Sequence, residues 1–148
     1  MTDQPAAPVT VWVRQLELGI PLIDGQHRKL VEHLDDLNRA VTAGRPMGEV
    51  SQCIDFLLQY TEEHFHTEEQ FLAEKHYPGL EDHRKLHQTF RANVAKARRA
   101  VETRLEQKQS VDLVRSMVIH WYVEHIKGTD QQYATYLREK GLLKPAKT

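Results

Sequence analysis

Long stretches without glycine or proline are the feature that most restricts how this chain can fold. The 7 glycines and 6 prolines occur in small groups that are widely separated along the chain. Because a helix interior tolerates few of either residue, the intervening stretches predict helices. No stretch alternates β-branched and polar residues for long, so no strand is predicted. The chain is expected to be all-α.

The longest of these stretches, residues 80–127, would form a helix of about 70 Å, which is too long for so small a domain. We place a break at 106–110, which lacks apolar residues, with Ser110 as the N-cap of the next helix. The predicted boundaries are an N-terminal arm over 1–21, helices over about 22–43, 48–76, 79–106 and 110–128, and a C-terminal turn or short helix over 129–140.

Apolar residues recur at steps of three and four within each predicted helix, as in Leu30, Leu34 and Leu37 of the first helix. Such spacing gives each helix one buried stripe. Four striped helices joined by short connections predict an up-down-up-down four-helix bundle, with residues 1–148 forming a single domain. An extended N-terminal arm and a short C-terminal helix complete the expected architecture.

Composition and charge exclude several classes of function. The net charge of −1 excludes the large positive charge that is typical of proteins that bind nucleic acid or an anionic membrane. No apolar run is long enough to span a membrane, and the first 13 residues lack the pattern of a secretory signal. The single cysteine, Cys53, cannot form an intrachain disulfide, so we expect a reducing compartment, the cytoplasm.

Polar residues occupy gaps in every apolar stripe. They are His27 in the first helix, His64 and Glu68 in the second, His83 and His87 in the third, and His125 in the fourth. A buried carboxylate without a partner costs several kcal/mol, so Glu68 requires a strong partner. A metal ion is the partner that satisfies imidazoles and a carboxylate together.

Any one of these histidines alone is better explained as an ordinary core residue, but all four helices contribute. Five histidines and a carboxylate exceed the four ligands of structural zinc. There is no His-Glu-x-x-His motif, and only one Glu-x-x-His pair, Glu63–His66, where ferritin-like sites need two. A sulfur-free, histidine-rich site suits iron best, zinc or copper less well, and manganese poorly. The remaining histidines are interpreted as surface or supporting residues: His33, His66, His76 and His120.

Several short motifs spread from Trp12 to about Tyr133 match one family. The motifs are Leu18-Gly19-Ile20, Ile23-Asp24, Gln26-His27, His64-Phe65-x-x-Glu68-Glu69, Tyr77-Pro78, His83-x3-His87-x-x-Phe90, and Trp121-x3-His125-Ile126 with Asp130. In these motifs the chain resembles the hemerythrins, specifically the single-domain bacterial ones. All seven positions that carry metal ligands in the family hold the expected residue types.

The resemblance implies a non-haem di-iron centre. One iron would bind His83, His87 and His125, the other would bind His27 and His64, and Glu68 and Asp130 would bridge the two with an oxide or hydroxide. The two-histidine iron would keep one open position, where dioxygen binds reversibly as hydroperoxide. This implies oxygen carriage, storage or delivery rather than enzymatic activity. The alternatives are an oxygen or redox sensor module and a protein that handles peroxide or nitric oxide.

The resemblance also carries a geometric requirement for Asp130. Asp130 follows His125 by five residues, which places it about 140° away around a regular α-helix. The helix must therefore widen or break between them, and Gly128 lies in that interval. Tyr133, one turn further on, is expected to hydrogen-bond to a bridging carboxylate.

Aromatic residues are expected to line the oxygen pocket. Phe65 and Trp121 would keep it dry. Tyr122 departs from the family, which commonly has leucine at this position. Its phenol would either donate to bound oxygen or ligate ferric iron, giving weak oxidase or peroxidase-type activity, or it would bond to a backbone carbonyl.

The end of the third helix is locally basic, through Lys96, Arg98, Arg99 and Arg104. The favoured interpretation is a solvated face with pairs such as Arg98–Glu102. The alternative is a docking patch for an acidic, oxygen-using protein. The chain is expected to be a monomer or weak oligomer, with dioxygen as its ligand.

Overall fold

The computed structural model describes residues 16–103 and 107–143, with only the backbone given for Gln107. All regular structure within these ranges is helical. The α-helices are α1 (Pro21–Thr42), α2 (Met47–Glu74), α3 (Leu80–Glu102), α4 (Gln107–Val114), α5 (Trp121–Glu124) and α6 (Gln131–Glu139). Trp12 and Arg104 lie outside the described residues. No helix in the described ranges combines the length and hydrophobicity needed to cross a bilayer.

The last three α-helices form one continuous helix, called here the fourth helix. Two π-helical segments, Arg115–His120 and His125–Asp130, join α4 to α5 and α5 to α6. The turn or short helix expected over 129–140 is a helix, Gln131–Glu139, and it continues the fourth helix, because the chain widens over His125–Asp130 without leaving the helical conformation. Gly128 has no left-handed backbone angle, so its conformational freedom is not used here.

Successive helices run antiparallel. Arg98 near the end of α3 pairs with Asp55 near the start of α2, whereas Arg84 near the start of α3 pairs with Glu69 near the end of α2. Each helix contacts both of its neighbours around a closed ring, with the fourth helix packed against α1 and α3. The predicted up-down-up-down four-helix bundle is confirmed.

The connection between α3 and the fourth helix differs from the prediction. α3 ends at Glu102 rather than at 106, and α4 begins at Gln107 rather than at 110. Ser110 consequently lies inside a helix, buried, and is not an N-cap. The stretch without apolar residues begins a helix in which Lys108 and Gln109 are exposed, because lysine and glutamine are good helix formers even without packing.

The first π segment shifts which residues of the fourth helix face the core. The spacing predicts Trp121 on the buried stripe, but the structure buries Tyr122 completely and leaves Trp121 partly exposed. A π turn accommodates one residue more than an α turn, so every position after it rotates relative to the earlier stripe.

The core consists of two apolar clusters at opposite ends of the bundle. The larger is built around leucines of α1 and α2 with Phe65 and Phe90. The smaller cluster contains Leu18, Ile20, Ile23, Leu72, Tyr133, Ala134 and Leu137. The polar residues from the stripe gaps lie between these clusters.

Asp24 fastens the described end of the N-terminal arm to α1. Its carboxylate accepts hydrogen bonds from the backbone N–H groups of Leu18, Gly19 and Ile20 at 2.8, 3.0 and 3.1 Å. Gly19 has a φ of +83°, and a Cβ at this position would lie 2.5 Å from the guanidinium of Arg138. The positive φ favours glycine at this position, and the end of the Arg138 side chain would have to shift to admit a Cβ.

Replacing Asp24 with alanine should destabilise the protein by about 2–4 kcal/mol, because three partly or fully buried donors lose their acceptor. Asp36→Ala on the same helix is the matched control. Asp36 is exposed and pairs with Arg39 at 3.4 Å, so its loss should change stability by less than about 0.5 kcal/mol. Denaturant unfolding at equal metal content measures both variants. Equal stabilities would show that Asp24 does not hold the arm.

Candidate metal centre

Glu68 lies at the centre of the polar cluster, fully buried on α2. Its Oε1 is 2.6 Å from Nε2 of His83 and 3.1 Å from Nε2 of His87. Its Oε2 is 3.4 Å from Nε2 of His64 and 3.7 Å from Nε2 of His27. The two carboxylate oxygens thus face two different pairs of histidines.

Asp130 divides its oxygens in a similar way. Oδ1 lies 3.3 Å from Nε2 of His83 and 3.2 Å from Nε2 of His125, and Oδ2 lies 3.1 Å from Nε2 of His27. The second π segment makes this possible, because its wider turn carries Asp130 onto the face of the fourth helix that holds His125. The helix widens between the two residues instead of breaking.

All seven residues predicted as ligands meet in two adjacent groups. Potential ligand atoms in each group lie within 4.8 Å of one another. One group contains Glu68, His83, His87 and His125, and the other contains His27, His64, Glu68 and Asp130. The four other histidines take no part in either group. Glu68 belongs to both, so the cluster has the form of a dinuclear site with a shared carboxylate.

Buried polar atoms without hydrogen bonds test whether this cluster fits metal ions. Within the described residues they include both ring nitrogens of His27, Nε2 of His64, Nε2 of His125 and both oxygens of Asp130. Leaving such groups unsatisfied costs about 1–3 kcal/mol each, and more for a charged group. Most of these atoms point at the centre of the cluster, and imidazole nitrogens with carboxylate oxygens are ligands that iron accepts. The residues present therefore fit the cofactor.

Outer hydrogen bonds orient two of the histidines. Nδ1 of His64 lies 2.8 Å from Oε1 of Gln26, and Nδ1 of His87 lies 2.9 Å from Oε2 of Glu69. Arg84 donates in turn to Glu69 at 3.1 Å. These contacts direct Nε2 toward the centre. Gln26 and Glu69 directly adjoin predicted ligands, but the sequence pattern predicts no role for either.

Tyr133 contacts the shared carboxylate directly. Its hydroxyl donates a hydrogen bond to Oε2 of Glu68 at 2.9 Å. Burial and the charges of Glu68 and Asp130 raise the pKa of Tyr133 well above its usual value. The phenol therefore remains protonated and remains a donor.

Aromatic rings cover the histidines on the side of the larger core cluster. Phe65 stacks on His87 with ring centroids 3.6 Å apart, and Trp121 stacks on His125 at 4.9 Å. These contacts give the centre a dry wall, which Tyr122 completes with its ring 6.2 Å from Phe65.

The Tyr122 hydroxyl is buried and has no hydrogen-bond partner among the described residues. No backbone carbonyl of these residues accepts a hydrogen bond from it, so the alternative of such a bond is not found among them. Burial, followed by the charges of Glu68 and Asp130, raises the pKa of Tyr122 well above its usual value. The Tyr122 hydroxyl is therefore a protonated donor without an acceptor among the described residues.

The pKa of His27 is shifted by the carboxylates around it. Burial alone lowers its pKa, but the nearby carboxylates of Asp130 and Glu68 favour the imidazolium more strongly and raise the pKa to about 9. The surrounding histidines keep the pKa values of both carboxyl groups low despite burial. The metal-free cluster is therefore a mixture of imidazolium and carboxylate groups.

The metal-free protein should lose stability as the pH rises from about 6.5 to 9. The pKa of His27 is about 9 in the folded protein and about 6.5 in the unfolded chain. Its stabilising contribution is therefore complete below about pH 6.5 and is lost as the pH rises through about 9. His83 adds to the same trend, since its pKa is also raised. Denaturant unfolding of chelator-treated protein measures the decline. His27→Gln should make it shallower, and an unchanged slope in that variant would exclude His27 as its source.

The features above define a class: an all-α protein with a buried, histidine-rich dinuclear metal site. The family model for the hemerythrin HHE cation binding domain matches residues 18–137. A bacteriohemerythrin from Stenotrophomonas maltophilia is 35% identical over 129 residues, which cover 86% of this chain and 81% of that protein. The chain belongs to the hemerythrin family.

Two further relatives extend the comparison. A bacteriohemerythrin from Pseudomonas aeruginosa is 30% identical over 129 residues, covering 86% of this chain and 81% of that protein. A myohemerythrin from Theromyzon tessulatum is 29% identical over 123 residues, covering 82% and 88%. Hemerythrins are oxygen-binding, non-haem iron proteins and are not classed as enzymes. Their cofactor is a di-iron centre. The His/Glu/Asp cluster of this chain suits that cofactor.

The basic end of α3 is neutralised at Arg98 in the structure. Arg98 lies 2.5 Å from Asp55 of α2 and 4.0 Å from Glu102 of its own helix. Lys96 and Arg99 are exposed. The Arg98–Glu102 pair is the one expected for a solvated helix face, and an acidic protein partner stays a prediction.

Proposed function

We propose that this chain binds dioxygen reversibly, for carriage, storage or delivery, at a di-iron centre held by the seven clustered residues. His83, His87 and His125 would bind one iron, and His27 and His64 the other. Glu68 and Asp130 would bridge them. The supporting observation is that each carboxylate turns its two oxygens toward different histidines, as a bridge between two metal ions requires.

The unequal number of histidines supports a reactive centre. Three histidines serve one side and two the other, so the two-histidine iron has one protein ligand fewer. An incomplete set of protein ligands distinguishes a reactive metal site from a structural one. The bound iron pair supplies the electrons needed to hold dioxygen. The chain supplies the geometry, the proton donors and the exclusion of water.

Protein groups around the centre control protons and water. Tyr133 keeps its proton and holds Glu68 Oε2 in place through its hydrogen bond. Phe65 and Trp121 stack on His87 and His125, and the fully buried Phe65 shields His87 from solvent. A dry surrounding slows proton entry and so favours release of the ligand as dioxygen.

Anaerobic loading with ferrous iron, followed by oxygen, tests this proposal. The visible absorption that appears with oxygen should disappear under vacuum or argon and return on re-exposure. His27→Ala should lose or loosen mainly the iron that has two histidine ligands, and with it the reversible signal. His66→Ala, at an exposed histidine of α2, is the matched control and should behave as wild type. Irreversible oxidation at the first exposure would contradict oxygen carriage.

A second function, peroxide handling, is favoured by one observation. The buried Tyr122 hydroxyl is a donor without an acceptor, and its pKa is raised by the charges of Glu68 and Asp130 as well as by burial. A free donor beside the oxygen pocket would help reduced oxygen leave as hydrogen peroxide. This would convert part of the reversible binding into slow oxidation of the centre.

Tyr122→Leu should slow autoxidation of the oxygenated protein, because it removes the phenol hydroxyl and leaves an apolar side chain. Tyr122→Phe removes the hydroxyl but keeps the ring, so it controls for the loss of the ring. Both variants should autoxidise more slowly than wild type by roughly the factor of ten that about 1.4 kcal/mol of hydrogen bonding represents. The decay of the oxygenated spectrum measures this rate. Equal rates in all three proteins would exclude Tyr122 from the chemistry.

We also propose that residues 1–148 form one hemerythrin-like domain and that the protein is located in the cytoplasm. The family match over 18–137 and the single Cys53 support it. An oxygen or redox sensor is the alternative role. Reversible oxygen binding with no change in binding to other proteins would favour carriage over sensing.

A further inference from the structure

We propose that ferrous ions enter the centre through a surface cavity beside His125, with His120 and Glu124 as transient ligands at its mouth. The cavity has a volume of about 430 Å³ and is lined in part by His120, Trp121, Glu124 and His125. His120 and Glu124 are exposed, whereas His125 is buried. The exposed His/Glu pair and a predicted ligand therefore line the same surface cavity. This inference rests on the proposed di-iron site.

This cavity is roomier than the one beside His27. The cavity beside His27 has a volume of only about 10 Å³, against about 430 Å³ for the cavity beside His125. An ion therefore has more room to approach the centre beside His125.

The mouth of the cavity has the chemistry to capture a divalent cation. His120 and Glu124 are four residues apart, and both line the cavity. Imidazole with carboxylate is a pair that ferrous iron accepts. The Glu124 carboxylate lies 3.8 Å from the ammonium of Lys127 in an exposed contact, and such contacts are weak. A divalent cation can therefore displace this lysine at little cost.

The inner end of the cavity can receive the ion. Nε2 of His125 is buried without a hydrogen bond and lies 3.2 Å from Asp130. The hydroxyl residues Ser116 and Thr129 also line the cavity and offer oxygen ligands along its length. An ion can thus exchange waters for protein ligands in steps, from the exposed pair to His125 and then to the bridging carboxylates.

Trp121 provides a reporter at this position. It lines the cavity and stacks on His125 at 4.9 Å. The chain has 2 tryptophans, and Trp12→Phe leaves Trp121 as the only one. Paramagnetic ferrous ions quench indole fluorescence at short range, so quenching after anaerobic mixing with chelator-treated protein gives the rate of arrival. Final iron content gives the end point.

In the Trp12→Phe background, His120→Gln with Glu124→Gln should slow ferrous loading at least about fivefold, because the local attraction for the cation is lost. The final iron content should stay at the level of the parent. Glu63→Gln with His66→Gln is the matched control. It removes an exposed Glu/His pair on α2 away from the cavity and should leave the rate unchanged.

Each outcome bears on a different claim. Slow loading in the cavity variant alone, with full final iron, supports the entry route. Equal loading rates in the parent, the cavity variant and the control overturn it, as does equal slowing in both variants. Failure of the parent to take up iron would contradict the proposed di-iron site itself. The entry route and the di-iron site can therefore fail separately.

Discussion

The structure depends on how the buried charge of Glu68 is compensated. A carboxylate with no exposed surface cannot remain ionised in an apolar interior without strong partners. Its partners come from every helix of the bundle: His27 from α1, His64 from α2 itself, His83 and His87 from α3, and Tyr133 from the fourth helix. All four helices therefore contribute groups that stabilise the Glu68 carboxylate, and an apolar cluster lies on either side of it.

The fourth helix meets this requirement by widening twice. The second π segment places Asp130 beside His125, and the first rotates Tyr122 into the core in place of Trp121. A regular α-helix would turn Asp130 about 140° away from His125. The same irregular helix supplies most of the residues that line the cavity beside His125.

Much of the fold and of the candidate site is predictable from the sequence, because breakers delimit the helices and polar gaps in apolar stripes mark buried ligands. What sequence periodicity could not predict is the register after Arg115–His120, since a π turn leaves no signature in a pattern based on a regular helix. The roles of Gln26 and Glu69 were also missed. They depend on contacts between helices, and polar residues at partly exposed positions look like ordinary surface. Ser110 was misplaced because a polar first turn resembles a loop.

Iron content compared between the native protein and Glu68→Ala tests the central claim most directly. If Glu68 bridges two irons, protein purified in air should contain close to two irons per chain with little zinc. The Glu68→Ala variant should retain a helical circular dichroism spectrum but bind neither iron, because each iron loses a ligand and the site loses a compensating charge. A variant that keeps one or both irons, or a native protein with one metal per chain or stoichiometric zinc, would contradict the account.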